Sequence, residues 1–163
     1  MKPGEASEAF LDTTFLLPFF QLKIDVEGFS LEGFEAFLSG LDKAHFSLLS
    51  VYEAKAKLFR LSRRDERFAN ALEDFGGNLA VLRDDEMITF HTYTRMDDLR
   101  FNLISGKGLD LDVFDMIIVA QAVDVGFLLT EDEDILRLRG ERSFVEDPEL
   151  EELEIRRWRE LDG

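Results

Sequence analysis

The chain has 163 residues, 45% of them hydrophobic, with 35 Asp and Glu against 19 Lys and Arg and a formal charge of −16. That length and apolar share fit a single globular domain with a real core, and so heavy a negative charge argues against indiscriminate adhesion to nucleic acid while leaving room for a local basic track. The absence of cysteine excludes disulfides, thiolate zinc sites and a thiol nucleophile. Any metal must then sit among oxygen ligands, the donors that suit Mg²⁺ or Mn²⁺.

Ala9-Phe10-Leu11 reads as a short buried strand ending at Asp12, with Thr13 and Thr14 next. An isolated carboxylate in apolar sequence is costly unless paired or liganded. Its bland alternative is an N-cap for the following segment. After the apolar run Phe15 to Leu22, Ser30 to Leu41 has helical spacing, with Ser30 as N-cap and Leu31, Phe34, Phe37, Leu38 and Leu41 on the apolar side. His45 to Leu49 is expected as the second strand. Ser50 and Glu53 then form a capping-box pattern at the head of a helix running from Val51 into the Arg63 region.

This helix carries the basic part of the chain. If its phase holds, Lys57, Arg60, Arg64 and Arg67 share one face. A phosphate-contacting stripe is one reading, and a solvated face bridged to surface acids is the commoner one. Phe68 to Phe75 continues as helix to a C-cap at Gly76-Gly77, and Leu79 to Leu82 is predicted as the third strand. A further helix is expected from Asp84 or Asp85 through Met87, Ile88, Met96 and Leu99. Gly106-Lys107-Gly108 is a turn lacking any phosphate-loop pattern.

Asp110 to Ile135 organises the rest. An apolar helical run opens with acids and closes at Gly126, and the strand Phe127-Leu128-Leu129 then delivers Thr130, Asp132 and Asp134. Beyond it, Ile135 to Arg139 reads as a short helix, Ser143 to Val145 as an edge strand, and Leu150 to Leu161 as a C-terminal helix. His45 and His91 lie far apart without ligand spacing and read as ordinary core or surface residues. No apolar run approaches a membrane span and the acidic start is wrong for a secretory signal, so the expected location is cytoplasmic.

Alternating strand and helix signals imply an α/β sandwich with a mainly parallel sheet, in one domain spanning 1–163. Sites in open α/β folds form beyond the carboxyl ends of the strands, near the topological switch point. Asp12, Glu53, Asp115, Asp132 and Asp134 all point to that edge. Crowded there, they would have to be protonated, strongly hydrated or neutralised by a cation, and a divalent metal is the simplest answer.

The motifs also carry a resemblance. L-D-T-T near the start, S-x-x-E on the second helix, F-D-M-I-I-V-A-Q-A before a strand and L-L-T-E-D-E-D-I after it resemble the PIN-domain family over roughly residues 9 to 145. The family comprises metal-dependent nucleases, including the VapC-type toxins of toxin–antitoxin pairs. The resemblance implies a three-layer α/β/α sandwich with its core at about 9–145, beyond which the spacing places the C-terminal helix at about 149–161. It implies Asp12, Glu53, Asp115 and Asp132 as the acids that hold one or two Mg²⁺ or Mn²⁺ ions and carry catalysis, with Asp134 accessory. Thr14 and Thr130 match positions of supporting hydroxyls, and Lys57, Arg60, Arg64 and Arg67 are candidates for guiding an RNA backbone.

The activity so implied is a ribonuclease cleaving phosphodiester bonds in single-stranded or structured RNA. The partners implied are an antitoxin protein and a second copy in a homodimer. A haloacid-dehalogenase-like phosphatase needs an Asp where Thr14 stands, and a receiver domain fails similarly, wanting an acidic pair after the first strand. The rival from another class is an inert PIN-like binding module that works through an exposed Trp158 helix or the Phe15–Phe20 run.

Overall fold

Strict alternation of side chains decides how the sheet is buried. In β1 (Glu8–Leu11), Ala9 and Leu11 enter one hydrophobic core and Phe10 enters another. In β4 (Phe127–Leu129), Phe127 and Leu129 join the first core and Leu128 the second. A strand buried on both faces needs a layer of helix on each, and both layers are present. The structure, a computed structural model, describes residues 6–161.

The first core is closed by α1 (Leu31–Ser39), α2 (Leu48–Ser62) and α3 (Ala69–Asp84), which supply Phe34, Val51, Ala54, Leu58, Ala71, Phe75 and Leu82. The second is closed by α4 (Arg95–Ser105), α5 (Val113–Ala122) and two one-turn helices, α6 (Glu133–Leu136) and α7 (Arg142–Val145). With β2 (Lys43–Ser47), β3 (Ile88–His91) and β5 (Glu154–Arg156), the sheet has five strands in the order β3-β2-β1-β4-β5, every pair parallel. The three-layer α/β/α architecture expected from the sequence is the one observed. The chain winds from β1 outward to β3, then returns to build β4 and β5 on the other flank. The switch point therefore lies between β1 and β4, where Phe10 pairs with Leu128 and Leu11 with Leu129.

Several expected elements are placed differently. α2 begins at Leu48, capped by Ser47, whose Oγ accepts from the Leu49 N–H at 3.2 Å; Ser50 is therefore inside the helix, and no capping box joins it to Glu53. α2 ends at Ser62, so Arg64 and Arg67 do not continue the face begun by Lys57 and Arg60. α3 runs straight through Gly76-Gly77 and absorbs Leu79 to Leu82, because burial of Ala71, Phe75 and Leu82 outweighs a glycine cost of about 1 kcal/mol each. Phe75 stacks on Phe20 with ring centroids 4.1 Å apart, anchoring the middle of that helix. The third strand lies later, at Ile88–His91, inside the segment expected to be helical.

Ser143 to Val145 is part of α7 rather than an edge strand, and the expected C-terminal helix is instead the edge strand β5 with a 3-10 turn at Trp158–Glu160. Trp158 is 5% exposed, packed among Phe15, Phe29, Phe34 and Phe37, with Nε1 donating to the Gly28 carbonyl at 3.0 Å. Phe15, Leu16, Leu17 and Phe20 are core as well. Neither Trp158 nor that run is a free surface. No helix among the described residues is long and apolar enough to cross a membrane.

Candidate metal centre

Each acid arrives by a local rule. Asp12 follows β1 with extended backbone and caps the 3-10 turn Thr13–Phe15, accepting from the Thr13 N–H at 2.7 Å through Oδ1. Its other oxygen accepts from the Thr130 hydroxyl at 2.7 Å. The cap and the site are thus the same side chain, one oxygen for each role. After α5, Gly126 takes a φ of +83°, a conformation costly for any residue with a Cβ, and donates back to the Ala122 carbonyl; the chain turns there into β4.

Thr130, fully buried at the end of β4, also accepts from the Asp132 N–H at 3.0 Å. One hydroxyl therefore ties the ends of the two strands that flank the switch point. Asp132 caps α6, its Oδ1 accepting from the N–H groups of Asp134 and Ile135 at 2.9 and 3.2 Å. Asp115 is the third residue of α5, and its N–H donates to Asp112, the N-cap, at 2.8 Å. Glu53 sits in the second turn of α2 rather than the first.

These elements enclose a cleft of about 470 Å³ lined by Asp12, Glu53, Asp112, Asp115, Glu131 and Asp132, with Lys57 and Arg60 on its α2 wall. Donor atoms of Asp115, Asp132 and Asp134 lie within 4.8 Å of one another. Asp12 and Glu53 line the same cleft beside that trio. Asp134 is also held by Arg137 at 2.7 Å, so its carboxylate is shared with a cation of the protein. Among the described residues, Asp12, Glu53, Asp112, Asp115 and Asp132 form no ion pair. An all-carboxylate donor set with hydroxyl support fits a hard divalent cation.

The electrostatics agree with the geometry. Burial, reinforced by the charges of Asp132, Asp112 and Asp12, pushes the Asp115 carboxyl up to about 7. Burial also raises Asp12, against the opposing hydrogen bond from Thr130. Burial and the Asp12 charge raise Glu53.

Of the residues singled out in the sequence, Asp12, Glu53, Asp115, Asp132 and Thr130 converge as drawn. Thr14 lines the cleft, but the hydroxyl in contact with Ser50 Oγ (2.7 Å) and Glu53 Oε1 (3.3 Å) belongs to Thr13. Lys57 and Arg60 reach the cleft wall; Arg67 is paired with Asp65 on an exposed turn, and Arg64 lies beyond the end of α2. The sequence reading missed Asp112 and Glu131. A D-x-x-D step before Asp115 was the available signal for the first. Nothing local marked Glu131, whose Oε1 accepts from the Trp158 N–H across 27 residues.

No protein-family model and no curated protein matches the sequence. The fold and site define a parallel five-stranded α/β/α protein with a carboxylate centre at its switch point. That fold is similar to one chain in the crystal structure of VapBC2 from Rickettsia felis bound to a DNA fragment from their promoter. The TM-score is 0.57 over 93% of this chain and 98% of that one, at 13% identity.

Proposed function

We propose that the protein is a PIN-like, Mg²⁺- or Mn²⁺-dependent endoribonuclease acting in the cytoplasm. The observation that carries this reading is the convergence, at the carboxyl ends of β1 and β4, of Asp12, Glu53, Asp112, Asp115 and Asp132, which form no ion pair among the described residues. Carboxylates serving only as helix caps have no need to meet in one cleft. The likeness of fold to a chain of the VapBC2 assembly supports the same reading and makes a protein partner of the antitoxin kind part of it; a homodimer is proposed beside it on the sequence resemblance alone.

In this reading Asp115, Asp132 and Asp134, with Asp12 beside them, would hold the cation, which would supply Lewis acidity toward water and the phosphate oxygens. Thr130 fixes the Asp12 carboxylate and the Asp132 backbone at once. Glu53, its carboxyl raised and touched by the Thr13 hydroxyl, takes the proton from the attacking water. Lys57 and Arg60, on the wall of the cleft, bind the backbone phosphate; Arg64 and Arg67 extend the contact to flanking nucleotides only if the strand follows the turn after α2.

The test is cleavage of a labelled single-stranded RNA pool with Mg²⁺, with Mn²⁺ and with chelator, by the wild type and by Asp115→Asn. Metal-dependent cutting that Asp115→Asn removes is the expected result. A folded, partner-free wild type that cuts nothing under any metal would return the protein to the class of inert binding modules.

A further inference from the structure

A second cavity, of about 250 Å³, has chemistry different from that of the acidic cleft. Tyr52, Tyr93, His91, Leu49, Ile117 and Gln121 line it, and its walls are almost wholly apolar. The two cavities share their helices. On α2, Glu53, Lys57 and Arg60 face the cleft while Leu49 and Tyr52 face the second cavity. On α5, Phe114, Asp115 and Ile118 face the cleft while Ile117 and Gln121 face the second cavity. Different stripes of the same two helices thus line both.

Both tyrosines are exposed, Tyr52 at 65% and Tyr93 at 48%, which is unusual for large rings beside an apolar recess. Tyr93 is not loose: its hydroxyl donates to Asp98 at 2.9 Å. His91 is held from the other side by a hydrogen-bonded chain across the sheet face. Glu8 Oε2 lies 2.8 Å from His45 Nε2, and His45 Nδ1 lies 2.7 Å from His91 Nε2. With Glu8 ionised it accepts from His45 Nε2–H. When both imidazoles are neutral, His45 Nδ1 must then accept from His91 Nε2–H. That tautomer leaves His91 Nδ1, which has no partner among the described residues, as a bare acceptor. Burial and the neighbouring His45 lower the His91 pKa, in keeping with the neutral form.

We propose that this cavity is a nucleobase subsite, taking the base of a nucleotide that flanks the phosphate in the acidic cleft, between Tyr52 and Tyr93 and with His91 Nδ1 accepting from a base N–H. The inference rests on the nuclease reading for its occupant. Three observations favour a base over other occupants: the apolar aromatic walls, unpaired acceptors at His91 Nδ1 and Gln121 Oε1 on lining residues, and two helices shared with a cleft lined by carboxylates, Lys57 and Arg60. Stacking on aromatic rings suits every base, so it adds affinity for single strands beyond what Lys57 and Arg60 supply in a chain of charge −16.

The experiment titrates the protein in Mg²⁺ against 2-aminopurine riboside 5′-monophosphate, a fluorescent nucleotide with no internal phosphodiester to cut and whose emission falls on stacking. Saturable quenching is expected, with ribose 5-phosphate a poor competitor. Tyr52→Ala and Tyr93→Ala should each weaken binding about tenfold, while Tyr93→Phe, which keeps the ring and loses the Asp98 bond, binds as the wild type does. Both side chains are on the surface, so the folded state tolerates their loss. Equal competition by ribose 5-phosphate, or alanine variants that bind within twofold of wild type, overturns the subsite. So does a change in sedimenting mass in those variants with binding unaltered, which would make the face a protein contact. Quenching at the tyrosines in a protein that cuts no RNA sinks the nuclease reading alone; metal-dependent cutting with no quenching sinks the subsite alone.

Discussion

Acids on two sides of the molecule meet opposite fates. Along the flank built by α4 to α7 and β5, away from the cleft, five are paired: Asp124 with Arg100, Asp147 with Lys107, Glu160 with Arg139, Glu133 with Arg157 and Glu154 with Arg156. The Arg100 guanidinium holds the Asp124 carboxyl below its usual range, and the Lys107 ammonium does the same for Asp147. In the cleft at the ends of β1 and β4 the shifts run upward, for Asp12, Glu53 and Asp115. With 35 acids and 19 basic residues the chain cannot compensate every carboxylate. Most other unpaired acids lie apart from the cleft on the exposed surface, where water screens them, whereas those of the cleft lie together, most of them partly buried, where a cation from solution can supply the missing charge.

That contrast is open to attack, and the most severe test is at Asp115. Asp115→Asn removes a cleft carboxylate and should cost more than about 100-fold in metal-dependent cleavage, beyond the effect of losing an outer-shell partner. The same change should raise the melting temperature of the metal-free protein near neutral pH, because it removes a repelled charge. A variant both inactive and less stable without metal would show that Asp115 is structural.

Next in size is the response to metal and pH. Asp115 has a folded pKa of about 7 against an ordinary value of 3.8, so between those limits the native state binds more protons than the unfolded chain. Stability from this group is therefore present at acid pH and lost as pH rises through 7. Thermal denaturation in chelator should show that decline. Mg²⁺ or Mn²⁺ at 100 times its Kd should add about 2.7 kcal/mol at the alkaline end, or roughly 5–10 °C. A metal-independent melting curve would remove the cation from the account.

Thr130→Val keeps the shape of a fully buried side chain but strips Asp12 of a donor and the Asp132 N–H of its acceptor. Denaturant titration should register a loss of about 1–3 kcal/mol, and cleavage a fall of roughly 10–100-fold. On the compensated side, Lys107→Ala should cost about 1 kcal/mol, between the value of an exposed pair and that of a buried one, and should leave the metal-induced shift in melting temperature unchanged. If Lys107→Ala altered that shift, the two sides would not be independent.

Much of this was readable along the chain, because its signals were local. Strand-terminal Asp12, the acid-opened helix before Gly126, and Thr130 and Asp132 after three consecutive apolar residues declare themselves by sequence neighbours alone. So did Ser30, whose Oγ accepts from the Gly33 N–H as a capping residue should. The misplacements fall where local preference and tertiary burial disagree. Gly76-Gly77 is a stop signal that the buried face of α3 overrides. Ile88–His91 has two polar residues among its four, and reads as strand only once His91 is satisfied by His45, 46 residues away. Leu150 to Leu161 has helical spacing, yet Trp158 is drawn into the aromatic core beneath Gly28 and the backbone before it pairs with β4.

By itself the sequence determined the layered α/β class, the all-oxygen character of the site and most of its acids, because alternation, capping chemistry and composition act over a few residues. Only the tertiary structure decided that Thr13 rather than Thr14 touches Glu53, that Arg64 and Arg67 leave the basic face, that Asp112 and Glu131 join the cleft, and that two distant histidines form one chain. Those facts depend on where helices stop and which strands become neighbours, and both are set by the burial of whole faces rather than by any short stretch of residues.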